Sequence, residues 1–184
     1  MKNNRILFLL ILTFLSINIL MIGGCKKTAV ETISYKIGDT AQGGVIFYLD
    51  STNQHGLACA LTIQNDTGVV WSSPDKLNIP MAEDTSLGSG LANTKAILDS
   101  CTATYTAAYL CYNLTLNGYS DWFLPSKQET RLMQAFLTSR GGTLHSYWTS
   151  TQRFANRAWL LQFNGTWLYM PYNTKTNVRA VRAF

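Results

Sequence analysis

Apolar runs bounded by turn residues lie near both ends of the chain, and apolar residues at helical spacing lie between them. Gly43-Gly44-Val45-Ile46-Phe47-Tyr48-Leu49 reads as a strand entered through two glycines. Leu57 to Leu61 reads as its partner across a turn-rich loop from Asp50 to Gly56. His55 falls in that loop and is expected to be a solvated turn residue. Thr62 to Gly90 shows little periodicity, is punctuated by glycines and prolines, and has Trp71 as its one obvious anchor. Aperiodic stretches of this kind inside a domain are uncommon and often functional. Gly88-Ser89-Gly90 lacks the lysine and the preceding strand of a phosphate loop and reads as a plain turn. Asn93 or Thr94 then caps a helix through Ala96, Ile97 and Leu98, and a second helical piece covers Ala107 to Leu114.

The stretch from Leu116 to Met133 carries the densest local signals. Asn117-Gly118 marks a turn because both residues tolerate positive φ. Asp121 to Leu124 has the aromatics and leucine of a buried strand, and Pro125 holds Leu124 extended. Ser126 with Glu129 three residues on forms a capping box, and Leu132, Met133, Phe136 and Leu137 make one apolar face of the helix that follows. Gly141-Gly142 ends that helix and Tyr147 to Ser150 reads as a strand. Ala158 to Phe163, the turn Asn164-Gly165 and Thr166 to Met170 make the clearest hairpin. Val178 to Phe184 reads as a final strand. Its Arg179 and Arg182 are three apart and so point to opposite faces, and an arginine buried there needs carboxylate or carbonyl partners. Trp122 and Phe123 are expected in the core, with Asp121 the best-placed partner for a buried arginine.

The N-terminus has another pattern. Lys2 and Arg5 precede the mostly apolar run Ile6 to Ile22, which is short for a spanning helix and ends in Ile22-Gly23-Gly24-Cys25. An aliphatic residue, two small residues and cysteine resemble the bacterial lipobox, which implies a signal peptide over 1–24 and lipidation at Cys25. An uncleaved anchor or an ordinary secretory signal would share part of the pattern. Residues 25–34 would then be the lipidated cysteine and a polar tether, with the folded domain over 35–184. Export to the bacterial cell envelope implies an oxidising setting for Cys59, Cys101 and Cys111. Cys101 and Cys111 are the nearest pair in sequence and are expected to form a disulfide, leaving Cys59 as a buried thiol in an apolar strand.

Charge is unevenly placed. Residues 28–126 hold three lysines against nine acidic residues, whereas 127–184 hold eight basic residues against Glu129 alone. The basic third either offers a surface to an anionic partner or packs against the acidic part of the chain. Arg140, Arg153, Arg157 and Lys175 read as loop positions and are the candidate ligand contacts, with Trp167 or Tyr172 as an aromatic platform. Each has an ordinary alternative as a solvated charge or a core aromatic.

Catalytic patterns are absent. His55 and His145 lie in unrelated segments without zinc-ligand spacing, and no serine sits in a G-x-S-x-G turn. The adjacent Glu83-Asp84 reads as a solvated loop pair. No metal, cofactor or nucleic-acid module is expected.

Leu116-Asn-Gly-Tyr-Ser-Asp-Trp-Phe-Leu-Pro-Ser-Lys127 closely resembles a bacterial domain family of unknown function (DUF1566), also named after the C-terminal domain of a Legionella collagen-like adhesin. Gly43-Gly44-Val-Ile-Phe-Tyr48, His55-Gly56-Leu57, Leu87-Gly-Ser-Gly-Leu-Ala-Asn-Thr94, Tyr147-Trp-Thr-Ser-Thr151, Ala158-Trp159 and Val178-Arg-Ala-Val-Arg-Ala-Phe184 extend the resemblance over about residues 35–184. It implies an α+β fold like that of C-type lectins and the formylglycine-generating enzyme: two helices, small antiparallel sheets bringing the chain ends together, and long loops. Family members occur on exported proteins, and the adhesin is associated with sulfated glycosaminoglycans. The collagen run, the acidic calcium motifs of C-type lectins and the paired cysteines of the formylglycine enzyme are all missing here. The lipobox, the fold that the resemblance implies, the aromatics and the basic C-terminal third together point to a non-enzymatic, lipid-anchored envelope protein whose lectin-like domain binds a ligand, with a glycan or acidic polysaccharide the expected class. A structural envelope-assembly module and, less readily, an enzyme on the formylglycine-type fold are the alternatives.

Overall fold

Gln42 and Gly43 both take positive φ, 55° and 78°, as a tight two-residue hairpin turn requires. They join β1 (Thr40–Ala41) to β2 (Gly44–Leu49) in the computed structural model of the chain, which describes residues 33–73, 75 and 78–184. The expected signal peptide, Cys25 and most of the tether lie outside the described residues.

β2 pairs antiparallel with β3 (Gly56–Cys59) as the hairpin pattern predicts, with Val45 opposite Cys59, Leu49 opposite Gly56 and a bulge between Ile46 and Tyr48. β3 pairs on its other side with the closing strand β7 (Val181–Ala183), which completes a sheet of order β1-β2-β3-β7. The closing strand is shorter than the expected Val178 to Phe184. The N–H groups of Val178 and Ala180 donate to the side chains of Asn65 and Gln64 instead of to a neighbouring strand. The ends of the folded chain meet in this sheet, where the rings of Tyr35 and Phe184 lie edge-on with centroids 5.1 Å apart.

The second sheet has the order β4-β5-β6, from β4 (Tyr147–Phe154), β5 (Arg157–Leu161) and β6 (Trp167–Pro171), all antiparallel. The turn between β5 and β6 has Gly165 at φ 84°, at the predicted Asn164-Gly165 step. β4 runs past the expected Ser150 because Thr151 and Gln152 are polar yet buried. Gln152 Oε1 accepts from the N–H of Ile79 at 2.7 Å, work that a hydrophobicity pattern cannot show.

Among the described residues three helices cover the space between the sheets in sequence: α1 (Gly90–Ser100), α2 (Ala107–Tyr112) and α3 (Lys127–Ser139). The fold is thus mixed α+β, with three helices among the described residues where the resemblance implies two. α3 has the predicted capping box. The N–H of Glu129 donates to Ser126 Oγ at 3.3 Å, and the N–H of Ser126 donates to Glu129 Oε2 at 2.8 Å. α1 begins earlier than expected. Asn93 and Thr94 lie inside it and cap nothing: Asn93 Nδ2 donates to the Asp84 carbonyl at 2.7 Å, and Thr94 Oγ1 donates to the carbonyls of Gly90 and Leu124. The free N–H groups leading into α1 turn to the other helix, with those of Gly88 and Gly90 donating to Glu129 Oε1 at 2.8 and 3.5 Å. The glycine turn is therefore a clasp around a buried carboxylate, and a Cβ on Gly90 would collide with it.

Trp122 and Phe123 point to opposite sides of an extended segment and enter two different cores. Trp122 and Leu124 join Trp71, Ile97, Trp148 and Tyr172, while Phe123 joins Phe47, Leu57, Met133, Tyr147 and Val181. Reciprocal backbone hydrogen bonds between Phe123 and Val181, at 2.8 and 3.0 Å, hold this segment against β7. The aperiodic stretch after Thr62 is packed as well. Trp71 stacks on Tyr172 with centroids 4.4 Å apart, and its indole N–H donates to the Thr149 carbonyl at 2.6 Å. Among the described residues no helix is long and apolar enough to cross a membrane.

Candidate functional site

Alternation along β5 sends Ala158 and Leu160 into the core and leaves Arg157 and Trp159 half-buried on the outer face. Strand pairing adds to that row. Tyr169 lies opposite Trp159 and Trp167 opposite Leu161, so both rings share the outer face with Trp159. Trp159 meets Tyr169 and Trp167 edge-on at 5.8 and 6.1 Å, and Phe154 from the end of β4 meets Tyr169 edge-on at 5.5 Å.

Two cations rest on these rings. Lys127, the first residue of α3, is fixed by its backbone N–H on Thr151 Oγ1 at 3.1 Å. Its Nζ lies 3.4 Å from the centroid of Trp159 and 4.9 Å from that of Trp167, in the corner between two nearly perpendicular indoles. The Arg153 guanidinium lies 4.2 Å over Phe154 and 5.5 Å from Trp159. Contacts of this kind are worth about 0.5–1 kcal/mol each at exposed sites. Neither cation has a carboxylate within ion-pair distance among the described residues. Partial burial, with repulsion from Arg153 and Arg131, holds the Lys127 ammonium below the usual lysine value. Four rings and two uncompensated cations thus form one continuous outer face.

Of the residues singled out in the sequence, Arg153 and Trp167 belong to this face, and Arg157 lies in the same outward row of β5. Arg140 does not. It caps the far end of α3, its Nη2 donates to the Ile37 carbonyl at 3.4 Å, and its guanidinium lies over Phe136 at 5.3 Å. Lys175 is exposed, in a separate cleft with Asp66, His145 and Asn177. Tyr172 is no platform: it is 2% exposed, stacked on Trp71, and its hydroxyl donates to Gln152 Oε1 at 2.5 Å. Burial there pushes its phenol well above the usual tyrosine value. Lys127, Phe154, Trp159 and Tyr169 were missed by sequence reasoning. The signal available was the Asn164-Gly165 turn, whose register sets Trp159 beside Trp167 and Tyr169.

No family model and no curated protein matches this chain. Its chemistry rests on its own residues.

The expected Cys101–Cys111 disulfide is not formed: Cys59, Cys101 and Cys111 are free and buried. Cys101 closes α1, where its Sγ accepts from the Ser73 N–H at 3.4 Å, while Cys111 is packed into the larger core from α2. The two thiols serve different packing environments. Burial pushes the Cys59 thiol up to about 11 against the pull of Arg179, and pushes Cys111 higher still. Neither has the lowered pKa of a reactive cysteine. His55 and the Glu83-Asp84 pair are exposed, as expected. Among the described residues no group of three or more His, Cys, Asp and Glu is placed to hold a metal ion.

Proposed function

We propose that this chain is a lipid-anchored protein of the bacterial cell envelope whose domain over 35–184 belongs to the lectin-like family it resembles and binds an acidic glycan without catalysis. The observation that carries the reading is the outer face of β4-β5-β6, where Lys127 and Arg153 lie on aromatic rings and, among the described residues, no carboxylate lies within ion-pair distance of either. Sugar rings present C–H faces that stack on aromatic side chains, and a uronate or sulfate supplies the missing counter-charge. Cations already held in place lose little entropy on binding. The Ile22-Gly23-Gly24-Cys25 motif supplies the anchor in this reading.

The test is retention of the full chain on immobilised heparin and on a polyuronate at low ionic strength. Retention is expected to fall steeply with added salt, as screening requires. Trp159→Ala removes the main stacking surface and the seat of Lys127, and is expected to weaken binding by about 1–2 kcal/mol. Trp159 faces outward, so the variant should still fold. No retention of the wild-type chain at low salt, or full retention of Trp159→Ala, would remove the reading.

A further inference from the structure

Arg179 and Arg182 are three residues apart and both more than nine-tenths buried, at 7% and 6% exposed. Arg182 is fully provided for. Its Nε and Nη2 donate to the two carboxylate oxygens of Asp121 at 2.7 and 2.9 Å, and its Nη1 donates to the carbonyl and side-chain oxygens of Gln42. Arg179 Nη1 donates to the carbonyls of Ala60 and Leu61, each at 3.3 Å, and its Nε has no hydrogen-bond partner among the described residues. Its other polar neighbours are neutral: the Cys59 thiol and the Tyr147 phenol, whose ring lies 5.8 Å away, both feel the pull of its charge without neutralising it. No carboxylate lies within ion-pair distance of Arg179 among the described residues. A buried guanidinium without a counter-charge is costly, and a native fold ordinarily pairs it.

Arg179 nevertheless borders open space. Arg179 lines an open cavity of about 580 Å³, away from the aromatic face. Leu61, Ile63 and Leu137 give the cavity apolar walls, Thr143 and His145 add polar groups, and the exposed Asp66 also borders it. A planar guanidinium is matched in shape by a carboxylate, which it can bind through two parallel hydrogen bonds. One uncompensated positive charge calls for one negative charge. A dianion would exceed it and meet repulsion from Asp66, and the apolar walls favour a hydrocarbon body. We propose that this cavity binds a small organic monoanion, with its carboxylate on the Arg179 guanidinium and its apolar body against Leu61, Ile63 and Leu137. This site stands apart from the glycan reading and survives its failure.

The test is titration of the full chain with hexanoate, with acetate, hexanamide and sulfate at matched ionic strength as comparators. The thermal midpoint and the arginine Nε–H resonances are followed together. Hexanoate is expected to raise the midpoint saturably and shift one buried arginine resonance. Acetate should bind at least about tenfold more weakly because it lacks the buried methylenes. Hexanamide and sulfate should give no saturable response. Arg179→Met is expected to be at least as thermostable as wild type without ligand, and to lose the hexanoate response. Asp66→Asn is expected to keep that response and bind hexanoate more tightly. Equal responses to hexanoate and hexanamide, or a hexanoate response kept in Arg179→Met, would overturn the proposal. So would an Asp66→Asn variant with a lowered midpoint and no hexanoate response, since Asp66 would then be the counter-ion. Should Arg179→Met fail to fold, the wild-type comparison of hexanoate with hexanamide decides by itself.

Discussion

Asp121 keeps 57% of its side chain in solvent while its partner Arg182 is buried, so the two ends of this ion pair are not equivalent. Neutralising the carboxylate leaves the buried guanidinium with uncharged partners alone: one amide oxygen, Gln42 and the Tyr119 ring 3.9 Å away. Asp121→Asn is therefore expected to cost about 1–3 kcal/mol in urea unfolding at neutral pH, the range for weakening the hydrogen bonds of a buried charged group. The hydrogen bonds from Arg182 hold the Asp121 carboxyl below its usual value. In that window the unfolded chain binds more protons than the folded one. The contribution of Asp121 is thus fully present above about pH 4 and is lost as the pH falls through the lowered folded value. The gap between wild type and Asp121→Asn should close in acid, and a gap that is constant with pH would show that the pair does not titrate with folding. The pairing was legible because a buried arginine must find a partner and Asp121 stands beside two aromatics that have to be core. Tyr172 shows the converse. An isolated tyrosine after a strand carries no local mark of facing in or out, and its stacking on Trp71 joins residues far apart in the chain.

At the scale of elements, Glu129 joins two helices. Its carboxylate caps α3 through Ser126 and accepts the N–H groups of Gly88 and Gly90 ahead of α1. Both oxygens face donors, so Glu129→Gln turns an amide NH₂ toward an N–H on one side. The expected cost is about 1–3 kcal/mol, the penalty for an unmade buried hydrogen bond, felt by both helices together. Burial raises the Glu129 carboxyl above its usual value despite the hydrogen bonds that favour its charge. Here the folded chain binds more protons than the unfolded one. The contribution of Glu129 is fully present below the unfolded value near pH 4.5 and declines as the pH rises through the folded value. Denaturation followed upward from about pH 4.5 should show this downward slope in wild type and its loss in Glu129→Gln. A slope unchanged by the substitution would assign it to another group. The opposite trends of Asp121 and Glu129 let the two be told apart in one pH series. The same residue explains what the sequence could and could not reveal. The capping box and the two predicted hairpins rest on neighbours in sequence, so their residues disclose them. The start of α1 does not, because its donors are satisfied by a carboxylate from another helix, and Asn93 and Thr94 only look like caps until their tertiary partners are known.

Over the whole molecule, the basic last third leaves two physical readings open, and the disposition of its side chains separates them. Had it packed against the acidic part of the chain, its cations would sit in ion pairs. Instead Arg182 alone pairs with a carboxylate at ion-pair distance among the described residues, Arg179 and Arg140 donate to carbonyls, and Lys127 and Arg153 rest on rings. Folding therefore owes little to attraction between the two parts of the chain, and most of the basic charge stays available to a partner. Salt should then act differently on stability and on binding. Exposed ion pairs contribute only about 0–1 kcal/mol each, and the Debye length shrinks from about 14 Å at 50 mM to about 4 Å at 500 mM salt. The unfolding free energy of the full chain is expected to change by less than about 1 kcal/mol over that range, since hydrophobic cores around Trp122 and Phe123 dominate it. Retention on a polyanion, which draws on several uncompensated cations at once, should vanish over the same range. A large loss of stability with salt would mean that the basic third is held by the acidic part after all, and the outer face would then have less charge to offer a ligand.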